Sequence, residues 1–530
     1  MLVLLPLLAC VTPEPLTLEE AEPPVNPTLW DDVWPGTHRG SYAQASTPQA
    51  GPTTSADAAH LDLSGTPVVV SFTAPYDDGG RAVWATAVGL DAAVIKIDHD
   101  TFTILDRYVP AERETDPPVV PVGISGAYTL VDAEGQFVVG RTRFVSIFGD
   151  ATPGDRSSPI ALRRRLFLPD EAFCGPDDII AGMTATFDGH LAFGTERGNV
   201  FVLPLDATTE SVTDLPVVSV NDDCTAGEPA EVVGNSLAAD EDGGIYLVTS
   251  AAMYRFDWDG QALTTAWRAP YRTATESVSP IRLSPGAGST PSLMGTGPDQ
   301  DKFVVITDGQ ELMHLVLYWR DAIPEGWRPI EEGRDPRIAC EVPVRFGDPE
   351  ATISISEQSV AVRGYSAVVV NNLLTDPTLV DNDLAVVQNV VSALEGGDPE
   401  KAPRGIERID WNPARQRCET IWADPTISIP NGIPSISART QMVYGIGLRD
   451  GAWGLTGVDL DTGASRLWAP ALDTTCPEEP LGPLALFPDV AATLERLPAS
   501  CENSIYAATT VGPDGVVYTG TFLGISRYTP

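Results

Sequence analysis

Short apolar runs alternate with turn residues along most of the chain, and several of these runs share one pattern. An apolar stretch leads through an Asp/Gly turn into an alternating strand, as in residues 128–140, 183–194, 236–249 and 508–520. Asp-Gly between two alternating runs is a strong signal for a β-hairpin. A third strand follows each hairpin, and a fourth often ends in tryptophan, as at Trp267, Trp422 and Trp468.

Four antiparallel strands that recur every ~40 to 60 residues predict an all-β fold, a β-propeller of four-stranded blades. Inner strands are predicted to begin near eight positions: Val68, Ile124, Gly182, Asn235, Ser289, Ile353, Ile433 and Ser504. We therefore expect eight blades. A strand within residues 66–73 is expected to complete the last blade and close the ring, which removes a free sheet edge. If that strand serves only this purpose, seven blades remain possible. An array of β-sandwiches would not repeat as regularly.

Two stretches interrupt the repeat, and each predicts a small helical insertion. Residues 375–400 interrupt the sixth blade, where residues 386–394 have a helical pattern. Residues 480–498 lie between the seventh and eighth blades, with a helix predicted at residues 490–497. Loops of this length either cover a face of the ring or decorate it without a binding role.

The chain begins with the apolar run MLVLLPLLAC, which is too short to span a bilayer. Its last four residues resemble a bacterial lipobox, in which the cysteine is lipidated and becomes the mature N-terminus. We expect residues 1–10 to be a signal peptide that ends in the lipidated Cys10. Residues 11–30, rich in Pro and Glu, are expected to form a flexible tether, and residues 31–530 one propeller domain. An ordinary cleaved signal with a chance cysteine is the alternative.

The composition restricts the possible partners. The chain has 33 basic and 73 acidic residues and a net charge of −40, which excludes binding driven by phosphate contacts, so nucleic acid is not an expected partner. Hydrophobic residues make up 43% of the chain and charged residues 20%, which excludes a disordered polyanion. No later window has 18 consecutive apolar residues. The membrane is therefore expected to be reached through the lipid anchor alone.

Six cysteines remain when Cys10 is set aside, and an even number in an exported chain predicts disulfides. Many pairings are open to six cysteines, and pairing between sequence neighbours is the simplest. That pairing is Cys174–Cys224, Cys340–Cys418 and Cys476–Cys501.

Residues 457–468, GVDLDTGASRLW, resemble the repeat of quinoprotein (PQQ) dehydrogenase-like propellers. Residues 235–246 are similar to the strictosidine synthase and gluconolactonase type of propeller. Residues 288–295 and 304–308, together with residues 34–42, resemble a group of uncharacterised exported bacterial propellers. The resemblance covers most of the chain, from about residue 30, and it implies the fold without an established activity.

The resemblance also raises two kinds of chemistry. PQQ enzymes carry adjacent cysteines beside the quinone, and this sequence has none, so PQQ is not an expected cofactor. Calcium-dependent lactonases hold one cation in the central channel with oxygen ligands from several blades. The candidate ligands here stand near blade starts or follow second strands: Asn235, Asp308, Glu357, Asn372 and Asn503. The alternative is that these residues line a wet channel or cap loops.

We therefore expect an exported, lipid-anchored propeller of the bacterial cell envelope. It is expected to act as a monomeric binding or scaffold module that takes a protein or small-molecule ligand at its loops and central mouth. The lipid-anchored propeller of the outer-membrane β-barrel assembly machine is similar in plan. The alternative function is a calcium-dependent hydrolase or lactonase with the metal in the channel. The sequence leaves open whether the protein is an enzyme.

Overall fold

The structure, a computed structural model, describes most of the chain. The described residues are 21–30, 33–73, 75–88, 93–110, 126–209, 212–222, 224, 230–274, 282, 286–380, 385–474, 487–497 and 500–530. The predicted signal peptide with Cys10, the first part of the predicted tether, and Cys476 lie outside them.

The strands are numbered in chain order. Two short strands come first, β1 (Ser46–Thr47) and β2 (Asp57–Asp62). Blade 1 contains β3 (Thr66–Phe72), β4 (Ala82–Val88), β5 (Ala93–Asp98) and β6 (Thr103–Tyr108). Blade 2 contains β7 (Thr129–Val131), β8 (Phe137–Arg141), β9 (Phe144–Asp150) and β10 (Ile160–Phe167). Blade 3 contains β11 (Ile180–Ala185), β12 (His190–Thr195), β13 (Asn199–Pro204) and β14 (Val217–Ser219). Blade 4 contains β15 (Ala238–Ala239), β16 (Gly244–Val248), β17 (Ala252–Trp258) and β18 (Leu263–Pro270).

The second half of the ring repeats this plan. Blade 5 contains β19 (Ser292–Met294), β20 (Phe303–Thr307), β21 (His314–Trp319) and β22 (Ile338–Pro343). Blade 6 contains β23 (Ala361–Arg363), β24 (Ser366–Val370), β25 (Ile406–Asn412) and β26 (Arg417–Asp424). Blade 7 contains β27 (Ser435–Ser437), β28 (Met442–Arg449), β29 (Ala452–Asp459) and β30 (Ser465–Pro470). Blade 8 contains β31 (Thr509–Val511), β32 (Val517–Thr521) and β33 (Gly524–Thr529), with β2 as its fourth strand.

Eight separate sheets of four antiparallel strands therefore form the ring, and β1 adds a fifth, parallel strand beside β27 in blade 7. This confirms the eight-bladed propeller and rules out seven blades. The closing strand was predicted wrongly within residues 66–73. It is β2, which pairs with β33 from Asp57↔Thr529 to Asp62↔Gly524. The segment Thr66–Phe72 forms the mostly buried inner strand of blade 1, whereas β2 keeps partial exposure throughout. An apolar run suits the inner position because that strand packs between neighbouring blades.

Two helices are inserted, close to the predicted bounds. The helix α1 (Ala385–Glu395) lies in the connection from β24 to β25, and α2 (Pro488–Arg496) lies between blades 7 and 8. They share a buried apolar cluster that includes Val391 and Leu394 of α1 and Val490 of α2. Both connections leave the ring on the face where the inner strands begin, here called the upper face. Among the described residues no helix is long and apolar enough to cross a bilayer.

Part of the predicted tether is not free. Within residues 21–30, Ala21 and Leu29 are buried, and Glu22 forms ion pairs with Arg39 and Arg363. The Asn26 side-chain amide donates to the Ala185 carbonyl at 3.1 Å. A Pro/Glu-rich segment packs here because its few polar groups find buried partners on the ring.

Candidate functional site

Four of the five predicted cation ligands lie on one polar belt at the upper face, where the inner strands begin. In blade 4 the Asn235 amide donates to the Ala287 carbonyl at 3.0 Å. The next residue, Gly288, packs against Glu357, since a Cβ on Gly288 would lie 2.9 Å from the Glu357 carboxyl carbon. The Glu357 backbone N–H then donates to Asn372 Oδ1 at 2.6 Å. The belt thus connects blades 4, 5 and 6.

The belt continues through blades 7 and 8. The Asn372 amide donates to the Pro430 carbonyl, and the Asn431 amide donates to Asn503 Oδ1 at 2.8 Å. Asn372 and Asn503 are fully buried. Their amides therefore join neighbouring blades. These hydrogen bonds also satisfy the buried amide groups, which would destabilise the fold without partners.

The same belt holds helix α1 on the upper face. Both Asn431 and Asn503 donate to the Ala393 carbonyl, each at 2.7 Å. Ala393 lies in the last turn of the helix, where carbonyl groups have no partner within the helix. Two asparagines from different blades therefore cap α1 and fix it beside the axis.

Two tyrosines extend toward the axis near the belt. Tyr128, which precedes the inner strand of blade 2, contacts the Thr290 side chain and the Ser236 backbone of blades 5 and 4, and burial raises its pKa to about 12. Burial and then the Glu357 carboxylate raise the pKa of Tyr506. Tyr128, Tyr506 and Asn235 are each partly accessible.

The N-terminal segment, residues 33–47, occupies the lower end of the axis. Its carbonyls accept inner-strand N–H groups from four consecutive blades. The pairs are Ala239 to Ser41, Leu293 to Tyr42, Val362 to Gln44 and Ile436 to Ala45, at 2.8 to 2.9 Å. Each inner strand has one edge that faces the axis, and an unpaired edge is costly when it is buried. The segment therefore completes the inner edges of the ring.

Further contacts show that this segment belongs to the lower face. The Tyr42 hydroxyl donates to Glu241, in the turn between β15 and β16. That turn is at the opposite end of the blade from the loops that carry α1 and α2. Within the segment His38 is buried with Nε2 3.0 Å from Ser359 Oγ, and burial lowers its pKa to about 4.

The fifth predicted ligand, Asp308, is not part of the belt. It joins His314 and Glu341 on the outer part of blade 5. His314 Nδ1 lies 2.9 Å from Asp308 Oδ2, and Glu341 pairs with Arg272 and Arg334. The sequence analysis missed this group. The local hairpin register places His314 opposite Asp308. The position of Glu341 could not be predicted in the same way, because a long connection separates β21 from β22.

Two of the three predicted disulfides have both cysteines among the described residues, and both are confirmed. Cys174–Cys224 has a Cα–Cα distance of 4.8 Å, and Cys340–Cys418 one of 6.0 Å. The second joins the outer strands of blades 5 and 6. Cys501 is also disulfide-bonded, and its predicted partner Cys476 lies outside the described residues.

A quinone cofactor does not fit these residues. The chain has no adjacent cysteine pair. The N-terminal segment completes inner-strand edges along the lower part of the axis, and Tyr128 reaches across it.

Solved structures of other proteins share the propeller fold of this chain. No protein-family model matches it. The solved quinohemoprotein alcohol dehydrogenase ADHIIG of Pseudomonas putida HK5 superposes with a TM-score of 0.53 at 13% identity, over 96% of this chain and 83% of that one. BamB of Moraxella catarrhalis superposes with a TM-score of 0.37 at 9% identity, over 75% of this chain and 94% of its own. The resemblance to quinoprotein dehydrogenase-like propellers is thus confirmed for the fold.

Sequence similarity is closer to one archaeal protein of uncharacterised activity, from Archaeoglobus fulgidus. It is 40% identical over 510 residues, which span 96% of this chain and 89% of the relative. The alignment therefore spans nearly the whole length of both proteins. The chain therefore belongs to the same protein family as this Archaeoglobus fulgidus protein.

Proposed function

We propose that this protein is an exported, lipid-anchored propeller that acts as a binding or scaffold module for a protein partner. One observation carries the proposal: both ends of the axis carry segments of the chain itself. The N-terminal segment completes the inner edges at the lower end, and α1 is capped by the polar belt at the upper end. Binding through the outer surface does not require an open central channel.

The upper face offers the surface for such a partner. Leu379, in the insertion that carries α1, is 76% exposed. The insertion is held rigidly, since the buried Glu395 carboxylate accepts the Thr378 N–H at 2.8 Å and pairs with Lys401 and Arg496. A preorganised apolar side chain costs little entropy on binding. The net charge of −40 favours a partner with a basic rim around an apolar contact.

Export and anchoring are supported by the cysteines. Disulfides form and persist mainly in oxidising compartments, and two are present here. The lipobox-like run that ends in Cys10 supports a lipid anchor in the cell envelope.

Photo-crosslinking in cells tests the binding module. A benzophenone amino acid replaces Leu379 on the upper face or, as a matched control, Val25 on the lower face. The two side chains are 76% and 65% exposed. We expect one discrete crosslinked protein from position 379 and none from position 25. The proposal is wrong if neither position crosslinks, or if only position 25 does.

A calcium-dependent hydrolase or lactonase remains the second candidate. It is favoured by Glu357 and Asn372, which lie side by side in the belt and offer oxygen ligands. Calorimetry with calcium and with magnesium tests it. Calcium-selective binding that is lost in Glu357→Gln supports this candidate, and equal weak heats for both ions, unchanged in the variant, exclude it.

A further inference from the structure

The register of blade 5 brings three metal-ligating side chains onto one face of its sheet. The Asp308 N–H donates to the His314 carbonyl at 2.9 Å, so these residues are cross-strand neighbours. His314 pairs with Pro343 on β22, and Glu341 is two residues before Pro343. Residues two apart on a strand point to the same face. One donor atom from each residue consequently lies within 4.8 Å of the others.

His314 and Asp308 face each other through possible ligand atoms. His314 Nδ1 lies 2.9 Å from Asp308 Oδ2, while Asp308 Oδ1 accepts the His314 backbone N–H at 2.8 Å. A metal ion that takes the place of the proton between Nδ1 and Oδ2 has both atoms as ligands. The Asp308 side chain is fully buried, so this orientation is rigid.

A cation that binds Glu341 must displace an arginine. Among the described residues, Arg272 and Arg334 contact the carboxylates directly, and two further arginines line the same groove. Arg272 contacts Glu341 at 3.2 Å and Glu331 at 2.6 Å. If Arg272 loses its contact with Glu341, it therefore still has the ion pair with Glu331. The Glu341 side chain is 4% exposed, so losing an arginine is tolerated only if another cation replaces it.

The group is also reachable. His314 and Glu341 line an open groove of 540 Å³ on the outer side of blades 5 and 6. Trp327 and the Cys340–Cys418 disulfide form other parts of its wall. An ion from solution can thus reach both residues without unfolding the blade.

We propose that Asp308, His314 and Glu341 form a binding site for a divalent first-row transition metal such as zinc. One imidazole with carboxylates is a donor set that zinc accepts, whereas calcium and magnesium prefer oxygen ligands alone. Arg272 competes with the metal for Glu341 and sets its affinity. This inference does not rest on the proposed function.

Isothermal titration with zinc chloride tests the site in the full chain, in the presence of excess calcium to saturate the acidic surface. We expect one zinc per chain, a loss of affinity of at least ~10-fold in His314→Gln and in Glu341→Gln, and a gain in Arg272→Ala. His190→Gln is the matched control, because His190 also opens a strand and pairs with an aspartate, Asp188, at 3.1 Å. Its affinity should equal that of the wild type.

The proposal is overturned by three results. These are an absence of stoichiometric zinc binding in the wild type, equal losses in His190→Gln and His314→Gln, and weaker zinc binding in Arg272→Ala. Far-ultraviolet circular dichroism shows which variants are folded. If His314→Gln does not fold, Glu341→Gln decides the test alone.

Discussion

A buried ion pair joins the two chain ends at the seam of the ring. His60 of β2 lies with Nδ1 3.1 Å from Glu502 Oε1, and the two side chains are 4% and 1% exposed. The Ser526 hydroxyl is hydrogen-bonded to His60 at 3.0 Å and to Glu502 at 2.6 Å. Burial alone lowers the pKa of His60, but Glu502 and Asp62 outweigh it, so the net pKa is raised from 6.5. Burial raises the pKa of Glu502, but His60, Ser526 and Thr474 outweigh it, so it is lowered from 4.5.

These two shifts predict the pH dependence of stability. The contribution of a group with a raised pKa is complete below its unfolded value and is lost as the pH rises through the folded pKa. For His60 that loss begins above 6.5. The contribution of Glu502 is complete above its unfolded value of 4.5 and is lost as the pH falls through its folded pKa. The pair therefore stabilises the seam most between these two unfolded values.

His60→Gln should destabilise the protein by roughly 3–5 kcal/mol near pH 6, because it leaves Glu502 buried without its partner. The difference from the wild type should shrink as the pH rises well above 6.5. Denaturant unfolding of both proteins across pH 5.5 to 9 measures it. A difference that stays constant over this range would show that His60 is not charged at the seam.

Asn503→Ala should cost roughly 1–3 kcal/mol, since it removes the buried acceptor of one Asn431 amide N–H and one of the hydrogen bonds to the Ala393 carbonyl. Asn412→Ala is the matched control, because Asn412 makes its bonds at the partly exposed rim, to Glu419 at 3.2 Å. It should change stability by no more than ~0.5 kcal/mol. Urea unfolding compares the two variants, and equal losses would contradict a structural role for the belt.

The sequence predicted where these side chains lie but not which groups they contact. Asn503 was placed near the start of an inner strand and Asn372 after a second strand, because these positions depend on the local hairpin pattern. Their partners, the Ala393 and Pro430 carbonyls, lie 110 and 58 residues away in the chain. An amide oxygen can face an ion or a backbone group equally well, and only the long-range packing decides which.

At the scale of elements, blades 8 and 1 meet at very close range. A Cβ on Gly520 of β32 would lie 1.6 Å from the Pro67 carbonyl oxygen of β3. The close approach lets the last blade pack directly on the first. The repeat predicted the blades, because each is built from sequence neighbours. It misplaced the closing strand, because β2 and β33 stand at opposite ends of the chain.

Gly520→Ala should force these two strands apart and destabilise the seam by roughly 1–3 kcal/mol. Gly40→Ala serves as the control, since the nearest atom to its Cβ would be Leu29 Cδ1 at an ordinary 3.8 Å. Thermal unfolding measures both. A melting temperature for Gly520→Ala equal to that of the control would mean that the seam adjusts without loss.

At the scale of the whole molecule, the lipid anchor proposed at Cys10 can be tested directly. In a host with a lipoprotein export system, the wild type should incorporate labelled fatty acid and partition into detergent. Cys10→Ser should remain in the aqueous phase. Equal partitioning of the two proteins would contradict lipidation at Cys10.

The central claim is that the propeller axis is filled by the chain itself, which leaves the outer surface for recognition. Hydrogen–deuterium exchange measured by mass spectrometry tests it most directly. The N–H groups of Ala239, Leu293, Val362 and Ile436 face the axis and donate to the N-terminal segment. We predict that peptides with these residues, and those of residues 33–47, exchange as slowly as the buried strand Ala93–Asp98. Exchange within seconds in both sets would mean an open axis and would contradict the account.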